Sequence, residues 1–155
     1  MPEDEFIKKT LEISKTIAMV GVSSIKNEIS TNIRRRPSTI VMKYMQEFGY
    51  KVIPVNPFST GEKVNGETIV SKLSDIEIPI DIVDVFRPSK EAVEIAEESV
   101  KIGTKVFWLQ YGIQNDEAKK IVESKNIFYV SNKCIKQEYQ RLFLKVNPVF
   151  PALKN

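Results

Sequence analysis

The 155-residue chain contains no histidine and a single cysteine, Cys134. Without an imidazole there is no Ser-His-Asp or Cys-His nucleophile pair, no His-ligated zinc and no phosphohistidine intermediate. One cysteine excludes an internal disulfide and a Cys-rich metal site. An enzyme built from this chain would have to work with Lys, Asp, Glu, Tyr, Cys or a cofactor. No apolar run approaches the ~20 residues of a membrane-spanning helix. The acidic opening Met1-Pro2-Glu3-Asp4-Glu5 is unlike a secretory signal, which begins basic and turns apolar. A cytoplasmic protein without a membrane partner is expected. Internal repeats and low-complexity segments are also missing.

Hydrophobic residues make up 42% and charged residues 28% of the chain, an ordinary globular balance. The formal net charge of +3 is mild; it does not call for nucleic acid and suits a small anionic ligand. The basic triplet Arg34-Arg35-Arg36 is short and has no interleaved aromatics, so it does not argue for nucleic acid either. The length fits one domain spanning 1–155, with a core over about 14–144 and a tail over 145–155 that carries Pro148 and Pro151. The content of Lys, Glu and Ile hints at a heat-adapted source.

Apolar runs and helical spacings alternate along the chain. Glu3 to Ser14 has Phe6, Ile7 and Leu11 at helical spacing. Thr16 to Val22 is a continuous apolar strand, as in a buried parallel sheet. Ser24 to Arg36 is polar and reads as a loop. Pro37 and Ser38 start a helix with Ile40, Val41, Tyr44, Met45 and Phe48 on one face, and Gly49 stops it. Lys51 to Val55 is a strand cut off by Asn56-Pro57. Thr68 to Val70 is a short strand, and Ile78 to Phe86 contains another. Ser89 is expected to cap a helix buried through Ala92, Val93, Ala96 and Val100 and ended by Gly103. Strands at Thr104 to Leu109 and Ile127 to Val130 flank a helix capped by Asn115. A last helix runs from Cys134 towards Leu144. This rhythm predicts an α/β fold: a doubly wound, mainly parallel, Rossmann-like sheet with helices on both faces. Ligands of such sheets bind beyond the carboxyl ends of the strands.

The residues just after each strand are therefore the candidates. Gly21, Val22, Ser23 and Ser24 form a small-residue turn that can cradle a pyrophosphate through backbone N–H groups, or serve as a plain strand exit. The strict G-x-G-x-x-G spacing is missing, because Gly21 is followed by Val22, Ser23, Ser24, Ile25 and Lys26. Arg36 and Ser38 sit at a helix start, where the dipole favours a phosphate; Arg34 and Arg35 read as solvated charge. Asn56 ends the second strand where NAD-binding domains carry an acid for the ribose. A neutral amide suits a phosphorylated ribose, though Asn56-Pro57 reads equally as a turn signal. Phe86 can pack on a base or an apolar arm, and Arg87 can offer a charged donor or pair with a surface carboxylate. Gln110 can bind ligand or satisfy loop backbone. Asp81 and Asp84 read as structural polar residues of one strand. Cys134, flanked by Lys133 and Lys136 at a helix start, has the surroundings of a reactive thiol; as a small buried hydrophobe it would be inert.

Several segments, in order, carry a family pattern. They are Ile17-Ala18-Met19-Val20-Gly21-Val22-Ser23, Arg36-Pro37-Ser38, Gly49-Tyr50-Lys51-Val52-Ile53-Pro54-Val55-Asn56-Pro57, Asp81-Ile82-Val83-Asp84-Val85-Phe86-Arg87, Trp108-Leu109-Gln110-Tyr111-Gly112 and Cys134-Ile135-Lys136-Gln137-Glu138. From about Thr16 to Leu142 the chain resembles the small stand-alone CoA-binding proteins. It departs from them in a longer Ser24 to Arg36 segment and in Asn132, where the family often has Asp. The resemblance implies a domain similar to the CoA-binding domain of succinyl-CoA synthetase, binding coenzyme A or an acyl-CoA without an established catalytic activity. The expected role is that of a carrier, sensor or regulator, and the setting of Cys134 between Lys133 and Lys136 adds the expectation that it forms a mixed disulfide with CoA, beside the inert, buried reading. The alternatives are an NAD(P)-binding oxidoreductase and a protein-interaction module with a vestigial nucleotide pocket. A homodimer is common for such domains, but no patch in the sequence marks one.

Overall fold

The computed structural model describes residues 3–23 and 37–145. Five strands form one parallel sheet: β1 (Thr16–Val20), β2 (Lys51–Val55), β5 (Ile82–Val85), β6 (Val106–Leu109) and β7 (Phe128–Val130). Their spatial order is β2-β1-β5-β6-β7. Counted in chain order this is 2-1-3-4-5, the flavodoxin-like variant of the doubly wound fold. The chain leaves β1 towards β2 on one side and returns to β5 on the other, so the crest splits between β1 and β5. A small antiparallel hairpin, β3 (Lys63–Val64) and β4 (Glu67–Thr68), lies on the route from β2 to β5.

The central strands β1, β5 and β6 are almost wholly buried because both faces are covered. Helices α1 (Glu3–Ile13), α2 (Pro37–Glu47) and α5 (Ile135–Tyr139) cover one face. Their Ile7, Leu11, Val41, Met42, Met45 and Ile135 pack on Ile17, Met19, Ile82 and Trp108. Helices α3 (Ala92–Ile102) and α4 (Asp116–Glu123) cover the other, where Ile95, Ala96, Ala118 and Val122 pack on Ala18, Val20, Val83, Val85 and Phe107. The alternation of side chains along each strand sorts them between these two cores.

Most boundaries follow from local chemistry. Asn115 caps α4, its Oδ1 accepting from the Ala118 N–H at 2.9 Å. Gly103 ends α3 with φ of 72° and accepts the left-handed turn at little cost. Three expectations need correction. The first strand stops at Val20, because the backbone turns at Gly21. Ser89 does not cap α3: residues Ser89–Glu91 form a 3₁₀ turn with no side-chain cap, and the Ser89 hydroxyl instead accepts from the Gln114 N–H at 3.2 Å. The last helix changes to a π-turn over Gln140–Leu144. There Arg141 holds Asp4 through two bonds of 2.9 and 2.8 Å and Glu138 through one of 2.6 Å, tying α1 to the end of the chain's described part.

Candidate functional site

At the carboxyl ends of β1, β2 and β5 the loops enclose a cavity of about 300 Å³. That lies at the small end of ligand pockets, room for part of a nucleotide rather than for a whole extended cofactor. Val20, Val55 and Ile95 give it an apolar floor. Gly21, Asn56 and Pro57 bring backbone to its rim, and Phe58, Ser71, Lys72, Arg87 and the carboxylates Glu91, Glu94 and Glu98 complete the wall.

The rim is tightly built. Gly21 has φ of 104°, and a Cβ there would lie 3.0 Å from both the Phe86 carbonyl oxygen and the Arg87 side chain. Only glycine lets the β1 and β5 exits approach this closely. The Gly21 N–H donates to the Val55 carbonyl at 2.8 Å. It is thereby withdrawn from the phosphate cradle expected of it, and its contribution is the close approach. Asn56 is buried and its amide is used in both directions. Nδ2 donates to the Val22 carbonyl at 3.1 Å, and Oδ1 accepts from the Phe58 N–H at 2.9 Å. The turn reading of Asn56-Pro57 is thus realised, and the same turn forms the cavity rim.

Electrostatics divide the wall. Arg87 grips Glu91 through two bonds of 2.9 and 2.8 Å. Those bonds hold the Glu91 carboxyl below its ordinary range and push the guanidinium further up. Glu94 and Glu98 continue the acidic stripe one and two turns along α3. Burial, then the neighbouring Glu94 charge, raises the Glu98 carboxyl. Nothing in the sequence marks this stripe or Lys72, since charged residues at these spacings look like an ordinary solvated helix face and loop.

The remaining candidates scatter. Val22 is fully buried and Phe86 half-buried against the α1/α2/α5 core, on the sheet face opposite the cavity. Ser23 is half-exposed at the β1 exit, with its Oγ 3.5 Å from Asn56 Nδ2. Ser38 is buried in the first turn of α2. Ser24 and Arg36 lie outside the described residues. Gln110 is buried and spends its Oε1 on the Ile135 N–H at 3.1 Å, so it ties the β6 exit to α5. Cys134 is the half-buried N-cap residue of α5 and packs against the same core. Lys133 and Lys136 beside it are engaged elsewhere, with Glu3 at 3.9 Å and the Tyr44 ring at 5.3 Å. Asp81 is structural, its Oδ2 accepting from the backbone of Lys15 and Thr16 at 2.7 and 3.2 Å. Asn132 adopts φ of 58° and accepts from the Gly112 N–H at 2.7 Å. Asparagine tolerates that left-handed conformation well.

Residues 15–140 match the family model of the CoA binding domain. The chain belongs to this family. It is 40% identical over 135 residues to the uncharacterized protein YneT of Bacillus subtilis (strain 168), covering 87% of this chain and 93% of that protein. A hypothetical protein from Pyrococcus horikoshii OT3 shares the fold with a TM-score of 0.80 and 38% identity, over 90% of this chain and 91% of its own. A Thermus thermophilus structure matches with a TM-score of 0.82 and 35% identity, over 92% and 100%. The dinucleotide forming acetyl-coenzyme A synthetase 1 of Ca. Korarchaeum cryptofilum shares the fold alone, with a TM-score of 0.57 and 23% identity over 76% of this chain and 26% of that one. Among the described residues no helix is long and apolar enough to cross a membrane, and no cluster of three or more His, Cys, Asp or Glu can hold a metal ion.

Proposed function

We propose that this CoA-binding domain holds coenzyme A, or an acyl-CoA, at the crest of its sheet and acts as a carrier, sensor or regulator rather than as an enzyme. The observation that carries the reading is the cavity where Gly21, Asn56, Pro57 and Arg87 meet. It lies beside the split in the sheet, where ligands of doubly wound folds bind. Asn56 supports CoA over NAD: it ends β2 as a neutral amide and adds no negative charge near a phosphorylated ribose. The adenine occupies the cavity, and the phosphorylated ribose, the diphosphate and the thiol arm run along the rim and crest.

Cys134 belongs to the same reading. β7 lies three strand spacings from β1 in the sheet order, about 14 Å. Cys134 stands at the helix start after β7 and packs on the face opposite the cavity, so the thiol arm has to cross the crest to meet it. With CoA disulfide, the Cys134 thiolate would attack one sulfur and release one CoA thiolate, leaving a protein–CoA mixed disulfide. Intact mass after such treatment should show one CoA adduct that dithiothreitol removes and that a C134S variant never acquires.

Thermal shift with CoA, dephospho-CoA, NAD and NADP side by side tests the main reading, because a ligand of the native state stabilises by RT ln(1 + [L]/Kd). The expected order is CoA first, ahead of dephospho-CoA. NAD or NADP ahead of both would overturn it, and no shift with any of them would favour a protein-interaction module.

A further inference from the structure

Phe58 is 83% exposed, more than any other large hydrophobic residue described, yet it stands on a fixed turn at the cavity lip. Its N–H is held by Asn56 Oδ1 at 2.9 Å. The Thr60 hydroxyl, two residues on, donates within reach of the carbonyls of Asn56 and Pro57, both at 3.2 Å. An aromatic ring displayed to water loses the burial that would normally stabilise it. Here the backbone behind it is braced and the surface it faces is hollow, with Val20, Val55 and Ile95 at the bottom.

The charges around that hollow restrict what enters. The Arg87 charge is already met by Glu91. Glu94 and Glu98 face the same space, with Lys72 as the other cation of the wall. A phosphoryl group lodged there would meet like charge. A planar, uncharged base would not, and its exocyclic amino group can donate to a carboxylate.

We infer that Phe58 is the stacking residue for the adenine ring of the bound nucleotide, clamping it over the Val20–Val55–Ile95 floor while the acidic stripe of α3 keeps the phosphates outside. This rests on the CoA reading above and adds the residue that positions the base. Aromatic stacking is sequence-tolerant but geometry-dependent, so a larger ring should replace phenylalanine and an aliphatic chain should not.

Isothermal titration of the full chain with CoA and with adenosine 3′,5′-bisphosphate, for wild type, F58A, F58L and F58W, tests the assignment. F58A is expected to weaken both ligands by the same factor, about tenfold or more, which is the usual scale for one lost stacking contact. F58W should restore binding, and its indole emission should quench as ligand is added. The side chain is too exposed for these changes to unfold the protein, and equal melting temperatures of the free variants check this. CoA bound equally well by wild type and F58A, or restored as fully by F58L as by F58W, overturns the stacking role and leaves CoA binding intact. Wild-type protein that binds neither ligand overturns both.

Discussion

Asn56 and Val22 are joined across 34 positions of sequence by the hydrogen bond from Asn56 Nδ2 to the Val22 carbonyl. The same amide turns the chain after β2 through its bond to the Phe58 N–H. One buried side chain therefore locks the exits of β1 and β2 together and sets the rim on which Phe58 stands. N56A would leave the Val22 carbonyl buried without this donor and release the turn. A loss of about 1–3 kcal/mol is expected in urea denaturation, with weakened CoA binding. N56D keeps the shape but sets a carboxylate oxygen against a carbonyl, and should be at least as damaging near neutral pH. Alanine at this position with unchanged midpoint and unchanged affinity would contradict the lock.

Gly21 gives the second prediction. Its positive φ and the 3.0 Å clearance to the Phe86 carbonyl leave no ordinary place for a methyl group. G21A should cost about 1–3 kcal/mol, the scale of local backbone strain. It should also widen the β1–β5 exit, so CoA affinity falls with stability. A G21A protein that melts like wild type would show that the two exits separate freely.

The fold is more legible in the sequence than the site is. The parallel strands were legible because burial on both faces leaves unbroken apolar runs, as at Ile17 to Val20 and Ile82 to Val85. Local chemistry exposed the Asn115 cap and the Gly103 stop. Long-range side-chain bonds were not legible. Nothing near Asn56 announces Val22, and nothing near Gln110 announces the Ile135 N–H. The acidic stripe hid for another reason. Polar residues at positions 91, 94 and 98 look like the solvated side of α3, and only the fold turns that side towards the loops after β1 and β2. Phe58 gives no sign of its role in the sequence, because a single apolar residue in a loop carries no periodic signal.

Asp84 gives the third prediction. It lies on β5 between Met19 and Trp108 in the strand register, and is fully buried. Neither carboxyl oxygen has a hydrogen-bond partner among the described residues. Burial raises this carboxyl well above its ordinary value. The folded protein thus holds this proton to higher pH than the unfolded chain does. The linkage sign follows: stability is full below the unfolded value near 4 and declines as pH rises towards the folded one. D84N removes that proton equilibrium. Its melting temperature relative to wild type should climb between pH 4 and pH 8. A relative fall over the same range would mean that Asp84 is charged in the fold and held by a cation.

The Arg87–Glu91 pair gives the last prediction. Its side chains are 35% and 37% exposed, so the pair contributes less than about 1 kcal/mol to stability. Its larger effect is on charge. While Glu91 holds the guanidinium, a phosphate bound at the Gly21 rim, as proposed, would meet Arg87 with its charge already balanced. E91Q weakens that hold and removes one negative charge from the wall. CoA should then bind several-fold tighter at low salt, the gain shrinking as salt is added, because such attraction between partly exposed groups is screened. R87A should weaken CoA, and the R87A/E91Q double variant should lose most of the E91Q gain. If the gain survives without Arg87, the glutamate acts through the field of the whole stripe. If E91Q binds CoA more weakly than wild type, the pair itself is the ligand-ready form and Glu91 orients the guanidinium for the phosphate.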